Sequence, residues 1–185
     1  MLEIVIQGRG GQGAQLAGSL LAAAFFAEGR EVQSFATYGG ARRGTPVSAF
    51  IRVDDKPIRL RCDIEQAHAL LCFDASLLAG RLLAVAGPQT IIVVNSRMGP
   101  GHFSALLPGH RVLPVDGLGI AQRNGLGRIV NSALLGALAR ALGSPSLQVL
   151  DATIAAEAPK HGRENAAACH EGYRAIELQL GKAAA

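Results

Sequence analysis

From Leu2 to Gln7 the chain is a short, largely β-branched apolar run. From Gln12 to Glu28 the period changes, and Leu16, Leu20, Leu21, Ala24, Phe25 and Ala27 recur at three- and four-residue spacing. The first pattern predicts a buried strand over 2–7, the second a helix over 12–28 that stops at Gly29. A second strand is predicted over 31–37. Strand, glycine turn, helix and strand make a βαβ unit, with a right-handed crossover and parallel pairing expected.

Thr37 to Pro46 holds three glycines and a proline and reads as a loop. After it Val47, Ala49, Ile51 and Val53 alternate with Ser48, Phe50 and Arg52, Asp54-Asp55-Lys56 turns, and 57–61 runs back. The expectation is a β-hairpin inserted into the α/β order. Further on, a strand is predicted over 68–73, a helix over 75–86 and the cleanest strand over 90–95. A loop at Gly99-Pro100-Gly101 and a short strand over 111–115 follow. Helices are predicted over 128–142, ended by Gly143-Ser144-Pro145, and over 163–180, with 181–185 a frayed tail. Neither a repeat nor a linker interrupts the order. A single domain, 1–185, of α/β class fits: Rossmann-like, a mostly parallel sheet with flanking helices and an inserted β-hairpin.

Composition narrows the function. Of 185 residues, 49% are hydrophobic, 4% aromatic and 17% charged. Ala, Leu, Val and Ile therefore build the core. So few charges fit either burial of surface against partners or a plain Ala/Leu bias. The net charge is +4, but the basic residues are dispersed and not interleaved with aromatics, which argues against nucleic acid. The three cysteines, Cys62, Cys72 and Cys169, show no CxxC spacing. They predict no disulfide framework and no iron–sulfur or zinc site on this chain. The histidines lack ligand spacing, so no metal site is expected. Without a secretory leader pattern or a bilayer-length apolar run, a cytoplasmic protein with no membrane contact is expected. No nucleophile–base constellation is present, so no catalytic residue is assigned.

The candidate chemistry is in two loops. Gly8-x-Gly10-x-x-Gly13 has the dinucleotide-binding spacing in its proper context, after a strand and opening a helix. Gly8 would allow a tight turn, Gly10 a close approach to phosphate and Gly13 close helix–strand packing. The following helix N-terminus would offer N–H groups to an anion. An acid to hold a ribose should end the second strand, yet that strand ends Phe35-Ala36-Thr37-Tyr38. Glu28 and Glu31 lie at the helix end and the strand start instead. The alternative, a glycine-rich connection that binds nothing, is the weaker reading in this context. Arg42 and Arg43 in the second loop suit a phosphate or carboxylate, or a salt bridge to an acidic partner. Asn95 and Ser96 end the strongest strand and could hydrogen-bond a ligand or cap a loop, and Asn131 and Ser132 carry the same two readings. Asp74 is expected to cap the next helix, and His68 to be structural.

"GRGGQG" at 8–13, "YGGARRGTPVSAFIRVDDKPI" at 38–58, "VVNS" at 93–96 and "NSALLGALARALG" at 131–143 together resemble the gamma subunit of the 2-oxoacid:acceptor oxidoreductases. Pyruvate:ferredoxin oxidoreductase is the best-known of these. The resemblance spans roughly residues 2–180. It implies a subunit of a thiamine-diphosphate-dependent complex that oxidatively decarboxylates a 2-oxoacid to an acyl-coenzyme A and passes electrons to ferredoxin. Thiamine diphosphate and iron–sulfur clusters would sit on alpha-, beta- and delta-type partners. This chain would help assemble the complex and hold coenzyme A. On that basis Gly8, Arg9, Gly10, Gly11, Gln12, Gly13, Arg42, Arg43 and Asn95 are the expected cofactor-binding set. One departure from the family pattern is Tyr38-Gly39-Gly40-Ala41, where a proline and an acid commonly precede the arginine. Two other readings are a free-standing NAD(P)- or nucleotide-binding oxidoreductase and a purely structural assembly subunit.

Overall fold

A computed structural model of the chain describes residues 1–40, 44–157 and 161–184. The strands are β1 (Leu2–Arg9), β2 (Glu31–Tyr38), β3 (Pro46–Asp54), β4 (Ala67–Cys72), β5 (Ala86–Asn95) and β6 (Arg111–Val115). The helices are α1 (Ala14–Ala27), α2 (Gly80–Leu83), α3 (Pro100–Leu106), α4 (Gly117–Arg123), α5 (Asn131–Leu142), α6 (Leu147–Glu157) and α7 (Gly162–Ala184). The six strands form one sheet in the order β2-β3-β1-β4-β5-β6. β1, β4, β5 and β6 pair in parallel. β3 opposes both of its neighbours, so β2 runs with the parallel set.

Alternation along β1 divides the core. Ile4 and Ile6 point to one face, where α1, α5, α6 and α7 cover them, and Val5 points to the other with Leu70, Ile92, Leu77 and Phe103. Both faces are thus buried, as apolar runs in a parallel sheet require. α5 is buried from Asn131 to Ala139, because it lies between the sheet and α7. That contact is close. A methyl group on Gly136 would lie 2.0 Å from the Cys169 carbonyl oxygen, and one on Gly172 would lie 1.9 Å from that of Ala133. Ser132 Oγ donates to Asn165 Oδ1 at 2.7 Å between the same two helices.

The α/β class and the mostly parallel sheet are as the sequence predicts, but several elements differ. β1 and β2 do not pair, because β3 lies between them. The hairpin joins β2 to β3, and 57–61 forms no strand. Pro57 has no N–H to donate, and although Ile58-Arg59-Leu60-Arg61 alternates, it buries no apolar face, Leu60 being 44% exposed. The buried Arg52 guanidinium holds the segment that follows, donating to the carbonyls of Cys62 at 2.9 Å and Asp63 at 3.2 Å. Gln33 donates to the Leu60 carbonyl at 2.6 Å. In place of one helix over 75–86 there is a 3₁₀ turn at Ala75–Leu77 and the short α2, which opens on Gly80 at φ +55°. Ala86 already pairs with Ala67 at the start of β5. Gly99 to Gly101 leads into α3, because Pro100 occupies the first helical position, where a missing N–H costs nothing. α4 and α6 lie where no element is predicted. The helix predicted over 128–142 begins at Asn131, and α7 runs past Gly181 to Ala184.

Candidate functional site

β1 ends at Arg9 and the chain turns into α1 within four residues. The Gln12 N–H donates to the Arg9 carbonyl at 2.9 Å, and the Arg9 N–H donates to Gln12 Oε1 at 2.7 Å. The turn needs positive φ at Gly11 (+96°) and Gly13 (+88°), a conformation only glycine adopts without strain. The close approach of strand to helix is at Gly8, whose added methyl would lie 2.9 Å from Ala14 Cβ. Gly8 and Gly13 thus exchange the parts the sequence suggests for them. At Gly13 the space is taken by Asn131, whose amide nitrogen would be 2.6 Å from an added methyl and donates to the Gly13 carbonyl at 3.0 Å. No side chain caps the N-terminus of α1.

The β2–β3 loop lies against this turn. The Gly10 N–H donates to the Thr45 carbonyl at 2.9 Å and the Gly44 N–H to the Gly10 carbonyl at 3.2 Å. Arg9 fastens the arrangement, donating to Asp74 Oδ2 at 2.8 Å, Ser76 Oγ at 2.8 Å and the Gly44 carbonyl at 3.2 Å. Asp74 caps the turn at Ala75–Leu77 through Ser76 N–H, as expected. Burial pushes its carboxyl up. Hydrogen bonds from Ser76 and Arg9 outweigh that and hold it below its ordinary value. Arg42 and Arg43 lie outside the described residues.

Between these parts is an open cleft of about 760 Å³. Gly10, Gly11 and Gln12 line it from the end of β1, and Phe73 and Asn95 from the ends of β4 and β5. Leu118, Arg128 and Val130 line it from α4 and the turn before α5. The cleft is at the carboxyl ends of the parallel strands, where the connections after the neighbouring strands β1 and β4 leave for opposite faces of the sheet. Ligands collect at such a point in open α/β sheets. Asn95 joins the strand ends beneath it, donating to the Phe73 carbonyl at 3.2 Å and accepting from Gly117 N–H at 3.0 Å.

The structure therefore brings Gly10, Gly11, Gln12 and Asn95 to one cleft. Gly8 and Gly13 support its wall, and the Arg9 guanidinium is spent on holding the two loops. Arg128 escapes the sequence reading, and its one signal is Gly125-Leu126-Gly127, a glycine-bracketed turn before a helix. Glu28 binds no ribose, accepting instead from Ser146 N–H at 2.6 Å. Among the described residues no group of three His, Cys, Asp or Glu could hold a metal, and no helix is long and apolar enough to cross a membrane.

An open, mostly parallel sheet with a glycine-walled cleft at its strand ends defines an α/β protein of the doubly wound class. The pyruvate ferredoxin/flavodoxin oxidoreductase family matches residues 3–175. The common gamma subunit of pyruvate/ketoisovalerate oxidoreductases from Thermococcus kodakarensis is 41% identical over 180 residues, covering 94% of this chain and 96% of that protein. Pyruvate synthase subunit PorC of Methanocaldococcus jannaschii is 36% identical, covering 98% of this chain and 100% of that protein. The crystal structure of pyruvate oxidoreductase subunit PORC from Thermotoga maritima superposes with a TM-score of 0.82 at 29% identity, covering 94% and 95% of the two chains. The fold also recurs in a 2-oxoglutarate:ferredoxin oxidoreductase from Magnetococcus marinus, solved with 2-oxoglutarate, coenzyme A and succinyl-CoA. There the TM-score is 0.78 at 22% identity, over 96% of this chain and 31% of that one. The chain belongs to the pyruvate ferredoxin/flavodoxin oxidoreductase family and is the gamma-type subunit of a 2-oxoacid:ferredoxin oxidoreductase complex. The reading as a free-standing NAD(P) oxidoreductase gives way to this, since the full-length relatives are themselves subunits.

Proposed function

We propose that this chain supplies one wall of the coenzyme A site of its complex. The observation that carries the reading is the cleft at the strand ends, walled by glycine backbone beside an uncapped helix N-terminus. The donor set suits a phosphorylated ligand. N–H groups at the start of a 14-residue helix carry partial positive charge. Gly11 has open space where a side chain would stand, so a ligand can reach the backbone. Coenzyme A supplies a thiol that accepts the acyl group. The chain's own residues would hold its phosphate end.

Thiamine diphosphate and the iron–sulfur clusters belong, on this reading, to alpha-, beta- and delta-type partners. Ferredoxin accepts the electrons, and the complex works in the cytoplasm. Arg42 and Arg43 complete the anion-binding lip from the β2–β3 loop. Each charge-assisted contact contributes ~1.5–3 kcal/mol.

The test is kinetic and uses the whole complex. Replacing Arg42 and Arg43 with Ala should raise KM for coenzyme A and leave decarboxylation of the 2-oxoacid intact. A complex that dissociates instead makes these arginines interface residues and favours a purely structural subunit.

A further inference from the structure

We propose that Arg128 is the counter-ion of the cleft, the side chain that selects a phosphorylated acyl acceptor over an uncharged one. The proposal rests on the coenzyme A reading above and assigns the phosphate end of that ligand to a named residue.

Among the described residues that line the cleft, Arg128 is the one ionisable group. The arginines nearest it in function are committed elsewhere: Arg9 pairs with Asp74 at 2.8 Å and Arg97 with Asp116 at 3.6 Å. Arg128 makes no hydrogen bond or ion pair among the described residues, although it borders a cleft with two other hydrogen-bonding side chains, Gln12 and Asn95.

Its backbone is positioned rather than loose. Leu126 and Val130, on either side, are buried to 5% and 7% exposure. The Leu126 N–H donates to the Ala121 carbonyl at 2.8 Å and the Ile129 N–H to the Leu126 carbonyl at 3.0 Å. Gly125 at φ +73° and Gly127 at φ +60° give the chain a tight path that returns it to α5. The result is a cation held out from two buried anchors, on an element other than the glycine turn. Arg128 itself is exposed at the rim of the cleft, open to a ligand.

The chemistry follows from the guanidinium. Its planar fork donates to two oxygens of one phosphate, and it stays charged at any working pH. The cleft volume of about 760 Å³ suits a ligand of nucleotide size. A thiol acceptor without phosphates gains nothing from Arg128, so the residue discriminates by charge.

The assembled wild-type complex and its Arg128→Gln and Arg128→Lys variants test this, with coenzyme A, 3′-dephospho-coenzyme A and pantetheine as acyl acceptors. Arg128→Gln should raise KM for coenzyme A about tenfold or more, with kcat and KM for the 2-oxoacid unchanged. Arg128→Lys should fall between, because a point charge lacks the fork. KM for pantetheine should be the same in all three. A change with coenzyme A but not with the dephospho form places Arg128 on the 3′-phosphate, and a change with both places it on the diphosphate. An unchanged KM for coenzyme A, or an equal rise for pantetheine, overturns the proposal, as does dissociation of the Arg128→Gln complex. Hydrogen exchange of residues 8–13 in the wild-type complex separates the two readings. Protection by coenzyme A with an indifferent Arg128→Gln sinks only the assignment of Arg128. No protection sinks the coenzyme A site itself.

Discussion

Arg9 Nε meets Asp74 Oδ2 at 2.8 Å, and this ion pair joins the end of β1 to the end of β4 beside the cleft. The same guanidinium reaches the Gly44 carbonyl in the β2–β3 loop, so three chain segments share one cation. Arg9 acts here as a positioning residue for the loop that carries Arg42 and Arg43.

Asp74→Asn should therefore loosen that loop. Both partners are partly exposed, 37% for Arg9 and 26% for Asp74, so the loss is modest, about 1–2 kcal/mol. The folded-state pKa of Asp74 lies below its ordinary 3.8. Its stabilisation is thus complete above the ordinary value and disappears as pH falls through the lowered one. Urea unfolding of wild type and Asp74→Asn should differ at pH 7 and converge in strong acid. A gap that persists undiminished in acid would assign the effect to something other than this carboxylate.

The two positive-φ glycines of the turn make opposite controls. Gly11→Ala pays for the left-handed backbone alone, ~1–2 kcal/mol, since nothing lies within 4 Å of the added methyl. Gly13→Ala carries the same strain and also drives Asn131 away, its amide nitrogen being 2.6 Å from the new atom. Thermal unfolding should rank the variants wild type, Gly11→Ala, Gly13→Ala, with a clear step between the last two. Gly13→Ser should be no better, because the hydroxyl cannot replace the space.

Among the described residues Arg52 is the largest fully buried side chain, at 1% exposure. It is satisfied by Glu3 at 2.8 Å, Gln33 at 3.0 Å and the carbonyls of Cys62 and Asp63. Arg52→Met keeps the stem's volume but strands Glu3 and frees the 57–63 segment, at a cost of about 3 kcal/mol. Adding Glu3→Gln should recover part of it, because the abandoned charge is then gone. Denaturant midpoints of the two singles and the double complete the cycle, and strictly additive losses would mean that the pair is not coupled.

How much of this the sequence could carry depends on the kind of signal. β1, α1 and β5 are legible because long apolar runs and a clear helical period leave one reading. The cleft is legible in part, since Gly10, Gly11, Gln12 and Asn95 are all where strand ends meet the sheet's carboxyl edge. Local patterns fail where the partner is remote. Nothing within 46–61 says that β3 pairs with β2 and inserts beside β1. Pro100 punctuates a loop and starts a helix with equal ease. α6 carries an apolar pattern too weak to separate from a loop. Arg128 is silent because its role depends on a cleft that four other elements create.

Gly136 and Gly172 are a case where the sequence shows only two glycines inside helices, each a propensity loss of about 1 kcal/mol. The structure gives the reason: each faces a backbone carbonyl of the other helix, at 2.0 Å and 1.9 Å from a would-be methyl. A backbone carbonyl cannot swing aside as a side chain does, so the helices must separate. Gly136→Ala and Gly172→Ala should each cost ~3 kcal/mol through overpacking, despite the better helix former. Separation also pulls Ser132 from Asn165, which lie 2.7 Å apart, and moves Asn131, the residue that holds Gly13. Gly181→Ala, with nothing within 4 Å, should leave stability equal or raise it by up to ~0.5–1 kcal/mol. Chemical denaturation of the three variants reads this directly. If Gly136→Ala and Gly172→Ala are as stable as Gly181→Ala, the α5–α7 contact is not the one described.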